Sequence, residues 1–279
     1  MQSTGYTNPV LVEDITPLPT PKSSFPREFT ELNGQIIFTA KWDPRDSGGL
    51  WVKDLTTHET HLIRKIAATG LTKSNGSVFF IASKGIWKTD GTKSGTALVR
   101  NFSEASFIQG LTNINGSLYF VTETQGAPVK LWKSDGSEVG TVLIRAFDPG
   151  GNQSNPHSFV SMGGRLFFIA PGNSFIGVNH NEALWETDGT VAGTRLVKDI
   201  SIENLIAIDK TLYFTTRDDT HGEELWKSDG SEIGTVMVKD IKPGSNDSRP
   251  MSLTELNGVL YFLAFDESHG QELWRSDGT

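Results

Sequence analysis

Glu224-Leu225-Trp226-Lys227-Ser228-Asp229-Gly230-Ser231-Glu232-Ile233-Gly234-Thr235-Val236-Met237-Val238-Lys239-Asp240-Ile241 decides how this chain folds, because the stretch returns. It reads Leu-Trp, two residues on an Asp-Gly, then Gly-Thr, then an apolar run closed by Lys-Asp-Ile. A close copy runs from Leu184 through Trp185, Asp188, Gly189, Gly193 and Thr194 to Ile200. Others surround Trp87, Trp132 and Trp274, and a worn copy holds Trp51. The six tryptophans are separated by 36, 45, 53, 41 and 48 residues. A period of that size is the mark of a repeat architecture.

A second marker precedes each tryptophan. It is Asn33-Gly34, Asn75-Gly76, Asn115-Gly116, Gly163-Gly164, Asp209-Lys210 and Asn257-Gly258, each followed by an apolar pair such as Tyr261-Phe262. Asn-Gly between apolar runs is a strong hairpin signal, because both residues tolerate positive φ. Asp209-Lys210 departs from it and should turn less comfortably. Runs such as Leu260-Tyr261-Phe262-Leu263-Ala264 are apolar without alternation, as in strands covered on both faces. Each copy thus holds four short strands: one before the turn, one after it, one with Leu-Trp, and one ending in Lys-Asp-Ile.

Four strands in 40–50 residues, repeated, predict an all-β chain: a six-bladed β-propeller with four antiparallel strands per blade. The expected organisation is one domain over 1–279, with blades near 16–66, 67–101, 102–147, 148–200, 201–241 and 242–279 plus 10–15. The last copy stops after its Trp274 strand. Val10-Leu11-Val12-Glu13-Asp14-Ile15 reads as the missing fourth strand, so the N-terminal segment is expected to close the ring. Trp87, Trp132, Trp185, Trp226 and Trp274 are expected to be largely buried between blades. Each such side chain offers roughly 150–250 Å², on the order of 4–6 kcal/mol gross at about 25 cal/mol/Å². Asp90, Asp135, Asp188, Asp229 and Asp277 are expected to bond their own hairpin backbone, with the following Gly at positive φ.

These motifs carry a resemblance. Glu224-Leu225-Trp226-x-x-Asp229-Gly230 and Glu272-Leu273-Trp274-x-x-Asp277-Gly278-Thr279 resemble the naming motif of the bacterial ELWxxDGT repeat family, over essentially the whole chain. The resemblance implies a propeller of the kind found in extracellular and surface proteins. The hairpin also resembles, more weakly, the Asp-box hairpins of sialidase-like propellers, which are structural. The first copy departs from the family, with Lys53-Asp54-Leu55 where Asp-Gly-Thr is expected, and its hairpin is in question.

Composition excludes some chemistry. A net charge of −8 argues against a nucleic-acid partner. There is no cysteine, hence no disulfide or thiol chemistry. No apolar run reaches the roughly 20 residues of a membrane helix, and residues 1–9 carry no signal-peptide pattern. No Gly-x-Ser-x-Gly elbow or phosphate-binding loop is present. His58-x-x-His61 has zinc-type ligands but reads as an exposed turn without a third ligand.

Candidate binding residues fall on two kinds of loop, expected to share one face. The crossing 241–250 matches 147–156 in length, including Asn246 with Asn152. The 218–223 and 266–271 loops are parallel copies, carrying Asp218 with His221 and Asp266 with His269. Loops that vary between repeats are where function concentrates. Asn152, Asn246, Asp247, Asp218, His221, Asp266 and His269 are therefore the candidate ligand-binding set, suited to sugar hydroxyls or to Ca²⁺ through hard oxygen ligands. The expected function is a non-catalytic extracellular or cell-surface binding module with a glycan or protein partner. The alternatives are a metal-dependent hydrolase or lyase at the propeller axis, and a structural spacer of a larger repeat protein.

Overall fold

A computed structural model describes residues 23–41, 47–147, 155–172 and 182–278. Among them there is no helix, and 23 strands form six antiparallel sheets. The sheets span 27–64, 69–101, 107–147, 157–198, 202–239 and 251–276. Each is a meander in which sequence neighbours pair, the pattern of a propeller blade. Five have four strands and the sixth has three. The expected closing strand Val10–Ile15 lies outside the described residues, as does Asn152.

The chain divides into two compact units, Met1–Ser103 and Glu104–Thr279. The first holds two sheets and the second holds four. Within each unit, successive sheets pack face to face through their second and third strands. In the first unit, Ile37, Leu50 and Val52 meet Val78, Phe80 and Ala82. In the second, Val121 and Leu131 meet Phe168 and Ala183, Phe167 and Leu184 meet Leu212 and Phe214, and Tyr213 and Leu225 meet Leu260 and Phe262. This is why the second strands are apolar without alternation, both faces being covered; in the sixth sheet one face is less so, with Leu260, Phe262 and Ala264 buried and Tyr261 and Leu263 half-buried.

The turn markers do what their chemistry implies. Asn33, Asn75, Asn115 and Asn257 adopt φ of 47–54°, each followed by a Gly at 72–80°. Asp209 takes φ 52° and closes its hairpin in spite of the Lys that follows. A regularity that the sequence had not announced lies five residues earlier. Glu28, Gly70, Gly110, Ser158, Asn204 and Ser252 all have positive φ. In every sheet the first strand shifts register by one residue close to this position. Each blade therefore carries a β-bulge in its first strand, which bends and twists that edge.

The motif tryptophans occupy one register throughout. Each pairs with the second aromatic or apolar residue of the strand before it: Phe38 with Trp51, Phe80 with Trp87, Phe120 with Trp132, Phe168 with Trp185, Phe214 with Trp226 and Phe262 with Trp274. They are not all largely buried, which departs from the expectation. Trp185 is buried, and the others are half-buried. The reason is the cover. Phe147 stands edge-on to Trp185 at 5.3 Å, and the Arg145 guanidinium lies over the same ring at 4.3 Å. Arg64 covers Trp87 at 4.7 Å, and Lys239 lies over Trp274 at 5.6 Å. In each case the cation of the closing Lys-Asp-Ile-type strand sits on the tryptophan of the following sheet. Lys198 departs from this pattern: its ammonium reaches the Thr235 and Glu232 carbonyls.

Candidate functional site

The repeated hairpin consumes its own polar groups. In the fifth sheet the Asp229 carboxylate accepts from Ser231 N at 2.8 Å and from Ser231 Oγ at 2.7 Å. Ser231 Oγ accepts from Gly234 N, and Thr235 Oγ1 donates to Ser231 O at 2.6 Å. Ser228 Oγ and Thr235 Oγ1 share a bond of 2.7 Å across the hairpin. The same set recurs around Asp90, Asp135 and Asp188. Bonds from the neighbouring hydroxyl, then from the backbone, hold the carboxyls of Asp90, Asp188 and Asp229 below the usual range. A Cβ on Gly95, Gly140, Gly193 or Gly234 would fall inside the Asp carboxylate of its own turn. That is why the motif needs Gly-Thr five residues after Asp. Gly278 N bonds Ser276 Oγ at 3.0 Å, so the turn at Asp277 begins in the same way.

The first hairpin forms without the motif. Asp54 Oδ1 accepts from Thr56 N and Thr57 N, and the buried Lys53 ammonium donates to the His58 carbonyl. The His58 backbone serves this turn, at φ 62°. Among the described residues no three His, Cys, Asp or Glu side chains gather as a metal site would require.

The crossing from the fifth to the sixth sheet, residues 240–250, is where non-repeated polar groups converge. Glu224, the first residue of the Glu-Leu-Trp motif, is fully buried beneath it. Its carboxylate accepts from Ser248 Oγ at 2.6 Å, Ile241 N at 3.1 Å and Lys242 N at 3.4 Å. Burial pushes the Glu224 carboxyl up, against the downward pull of these bonds. Glu223 O accepts from Ser248 N and Arg249 N, and Phe265 N donates to Ser248 O. The Asn246 carbonyl lies so close to Gly222 that a side chain there would meet it. Asp247 Oδ1 accepts from Glu223 N at 3.0 Å, while Oδ2 pairs with Arg217 and lies 3.7 Å from Arg249 Nε.

Above this crossing is an open cleft of about 570 Å³. Its polar lining includes Arg217, Lys242, Asn246, Asp247, Arg249 and Gln271. Met251 and Phe265 form an apolar wall, and the Lys242 ammonium sits 4.7 Å from the Phe265 ring centre.

Of the candidate set, Asn246 and Asp247 come together here. Asp218 and Asp266 do not line the cleft. Each accepts two backbone N–H groups from its own turn and faces its own imidazole, His221 or His269. The bond to Asp218 raises the His221 imidazole, and the bond to His269 lowers the Asp266 carboxyl. Asp247 meets Arg217 and Arg249, and its charge also acts on the Glu223 carboxyl beside it. The sequence reading missed Arg217, Lys242, Arg249, Phe265 and Gln271. One signal was present. Three residues after the constant Phe of the second strand, the six copies read Lys41, Ser83, Glu123, Pro171, Arg217 and Phe265.

No protein-family model matches the sequence, and no curated protein is similar to it at a significant level. Among solved structures, a prolyl endopeptidase is similar at 12% identity and a TM-score of 0.56, over 91% of this chain and 42% of that one. The acylaminoacyl peptidase of Pyrococcus horikoshii gives 13% identity and 0.47, over 92% of this chain and 44% of that one. The β-propeller domain of the Trilobed protease from Pyrococcus furiosus gives 13% identity and 0.42, over 92% and 97%. The chain spans less than half the length of either peptidase. At these identities the first likeness concerns the fold alone, and the other two carry no argument.

Proposed function

We propose that the protein is a non-catalytic binding module: a six-bladed propeller of the ELWxxDGT repeat type that presents its loop face to a glycan at an extracellular or cell surface. In this reading Val10–Ile15 completes the sixth blade beside strand Gly270–Ser276. The three-stranded state of that sheet and the exposed Leu273 on its last strand support the assignment. If it holds, deleting residues 1–15 lowers the melting temperature by several degrees; an unchanged melting curve rejects it.

The observation that carries the binding reading is the crossing 240–250. Its Lys242, Asp247 and Arg249 have no counterpart in the matching 147–156 crossing, and they line a cleft within the usual 300–1,000 Å³ of ligand pockets. The Asp-Gly-Thr hairpins, by contrast, have their carboxylates engaged within their own turns. The test is a glycan array probed with the intact chain, followed by two variants. Asn246→Ala is expected to remove binding at unchanged melting temperature, and Asp229→Ala to lower melting temperature with binding retained. The reverse pattern places the ligand on the hairpin rim and rejects this site.

A further inference from the structure

We infer that the cleft above residues 240–250 takes an acidic glycan, with a uronic-acid carboxylate received by Lys242 and Arg249. The inference rests on the binding-module reading and names its ligand class.

The first argument is charge. The chain as a whole carries −8. The cleft is lined by Arg217, Lys242 and Arg249 against the single carboxylate of Asp247. Asp247 is committed to the Glu223 amide and to Arg217, and the half-buried Glu223 carboxylate acts on Arg217 and Arg249, which leaves the Lys242 ammonium and a partly balanced Arg249 at the opening. Arg249 is 71% exposed at its side chain and lies at the long distance of 3.7 Å from Asp247. A guanidinium and an ammonium across one opening suit a carboxylate, with the Arg fork giving direction and Lys a point charge.

The second argument is that these charges are not demanded by the fold. The crossing 147–156 matches 241–250 in length and keeps its Pro, Gly, Asn, Ser and Pro at the same places. Yet Asp148 stands where Lys242 does, Asn155 where Arg249 does, and Glu123 at the position of Arg217. Asn155 Nδ2 donates to Glu123 Oε1, so a neutral–acidic pair closes the same corner as the arginines do in the later copy. Turn chemistry is kept and the charges are changed. Arg217 answers to Asp247 within the chain, whereas the cations at 242 and 249 answer to something outside it.

The third argument selects sugar over peptide. The main-chain donors at the inner end of the cleft are already used: Ser248 N and Arg249 N by Glu223 O, and Phe265 N of the neighbouring strand by Ser248 O. An extended acidic peptide binds by adding a strand to free main-chain groups, and these are not free. The neutral side-chain amides of Asn246 and Gln271 remain in the lining for hydroxyls. Met251 and Phe265, each 40% exposed, offer an apolar wall to the C–H face of a pyranose.

The test is calorimetric titration of the intact chain with an oligogalacturonate, with the same oligomer fully methyl-esterified, and with a hexaglutamate peptide. The inference expects binding of the free acid that weakens at least tenfold on esterification and falls as salt rises. It expects Lys242→Gln and Arg249→Gln each to weaken binding about tenfold, and Arg249→Lys to retain most of it; the last variant separates lost charge from lost fold. Equal binding of acid and ester overturns the anion assignment while leaving the binding module standing. So does binding that both Gln variants leave untouched. Tighter binding of hexaglutamate overturns the choice of a glycan. No binding to these probes, together with an empty glycan array, overturns the underlying reading as well.

Discussion

Replacing Gly234 by Ala should damage the fifth hairpin through a side chain five residues away. The new Cβ would fall inside the Asp229 carboxylate, which must swing out. It then loses its bonds from Ser231 N at 2.8 Å and Ser231 Oγ at 2.7 Å. Bonds to a charged acceptor contribute about 1.5–3 kcal/mol net when shielded. Asp229 is exposed, so solvent screening reduces this to about 1 kcal/mol each. Gly234→Ala is thus expected to cost about 2–3 kcal/mol, and Asp229→Ala about 2 kcal/mol. The informative variant is the double one. With Asp229 gone there is nothing for the Cβ to meet, and Ala restricts the unfolded chain by roughly 0.4–1 kcal/mol in favour of folding. The pair should therefore cost no more than Asp229→Ala alone, a coupling of about 2 kcal/mol. Urea denaturation at a constant slope reads all three midpoints. If the two costs add to within about 0.5 kcal/mol, the contact between Gly234 and Asp229 does not explain the motif. Because the Asp229 carboxyl titrates below its unfolded value, its contribution is complete above the ordinary Asp range near pH 4. It is lost as pH falls through the folded value, so the gap between wild type and Asp229→Ala should close in acid.

Three further outcomes are expected. Burial raises the Glu224 carboxyl, so the unfolded state sheds its proton first and stability falls as pH climbs above the unfolded value near 4.3; Glu224→Gln keeps an acceptor for Ser248 and removes this slope. A melting-temperature difference from wild type that stays flat between pH 4 and 7 would contradict it. Trp132→Phe gives up the bond from Nε1 to Thr122 Oγ1 at 2.9 Å and should cost about 1 kcal/mol more than Trp226→Phe, whose buried Nε1 has no partner. Equal costs in chemical denaturation would count against that reading. Ser252→Gly relieves a non-glycine residue at φ 57° and should raise stability by about 0.5–1 kcal/mol, with a fall in melting temperature as the refuting result.

The sheets were legible because their signals are local. Asn-Gly turns, unbroken apolar second strands and the Asp-Gly-Thr hairpins each span eight residues or fewer, and the structure uses them in place. The bulges were not legible. Gly70, Gly110 and Asn204 suit positive φ, but Glu28, Ser158 and Ser252 do not announce it, and only the common offset from the turn unites them. The loop face was half legible. Asn246 and Asp247 were found from loop length and polarity, and they line the cleft. The arginine beside Asp247 was not legible, because that pairing joins residues 30 apart. Asp218 and Asp266 looked like cation ligands for the same reason that they make good turns: a carboxylate that accepts two amides is useful to either.

The self-contained hairpins also bear on how the chain assembles. All bonds of the Asp229 turn close within seven residues, so such a hairpin can form in roughly 1–10 μs, ahead of any long-range contact. Four near-copies formed early are interchangeable partners, and a repeat chain of this kind is exposed to docking the wrong neighbours. Nothing in the shared motif tells the fifth hairpin which sheet should follow it. The crossings do. Glu224 with Ser248, and Arg217 with Asp247, fit together only when the sixth sheet follows the fifth. Glu123 with Asn155 does the same between the third and the fourth. The residues that break the repeat thus act as addresses, and exchanging the 241–250 and 147–156 crossings should raise the yield of misassembled chains on refolding before it alters any single blade.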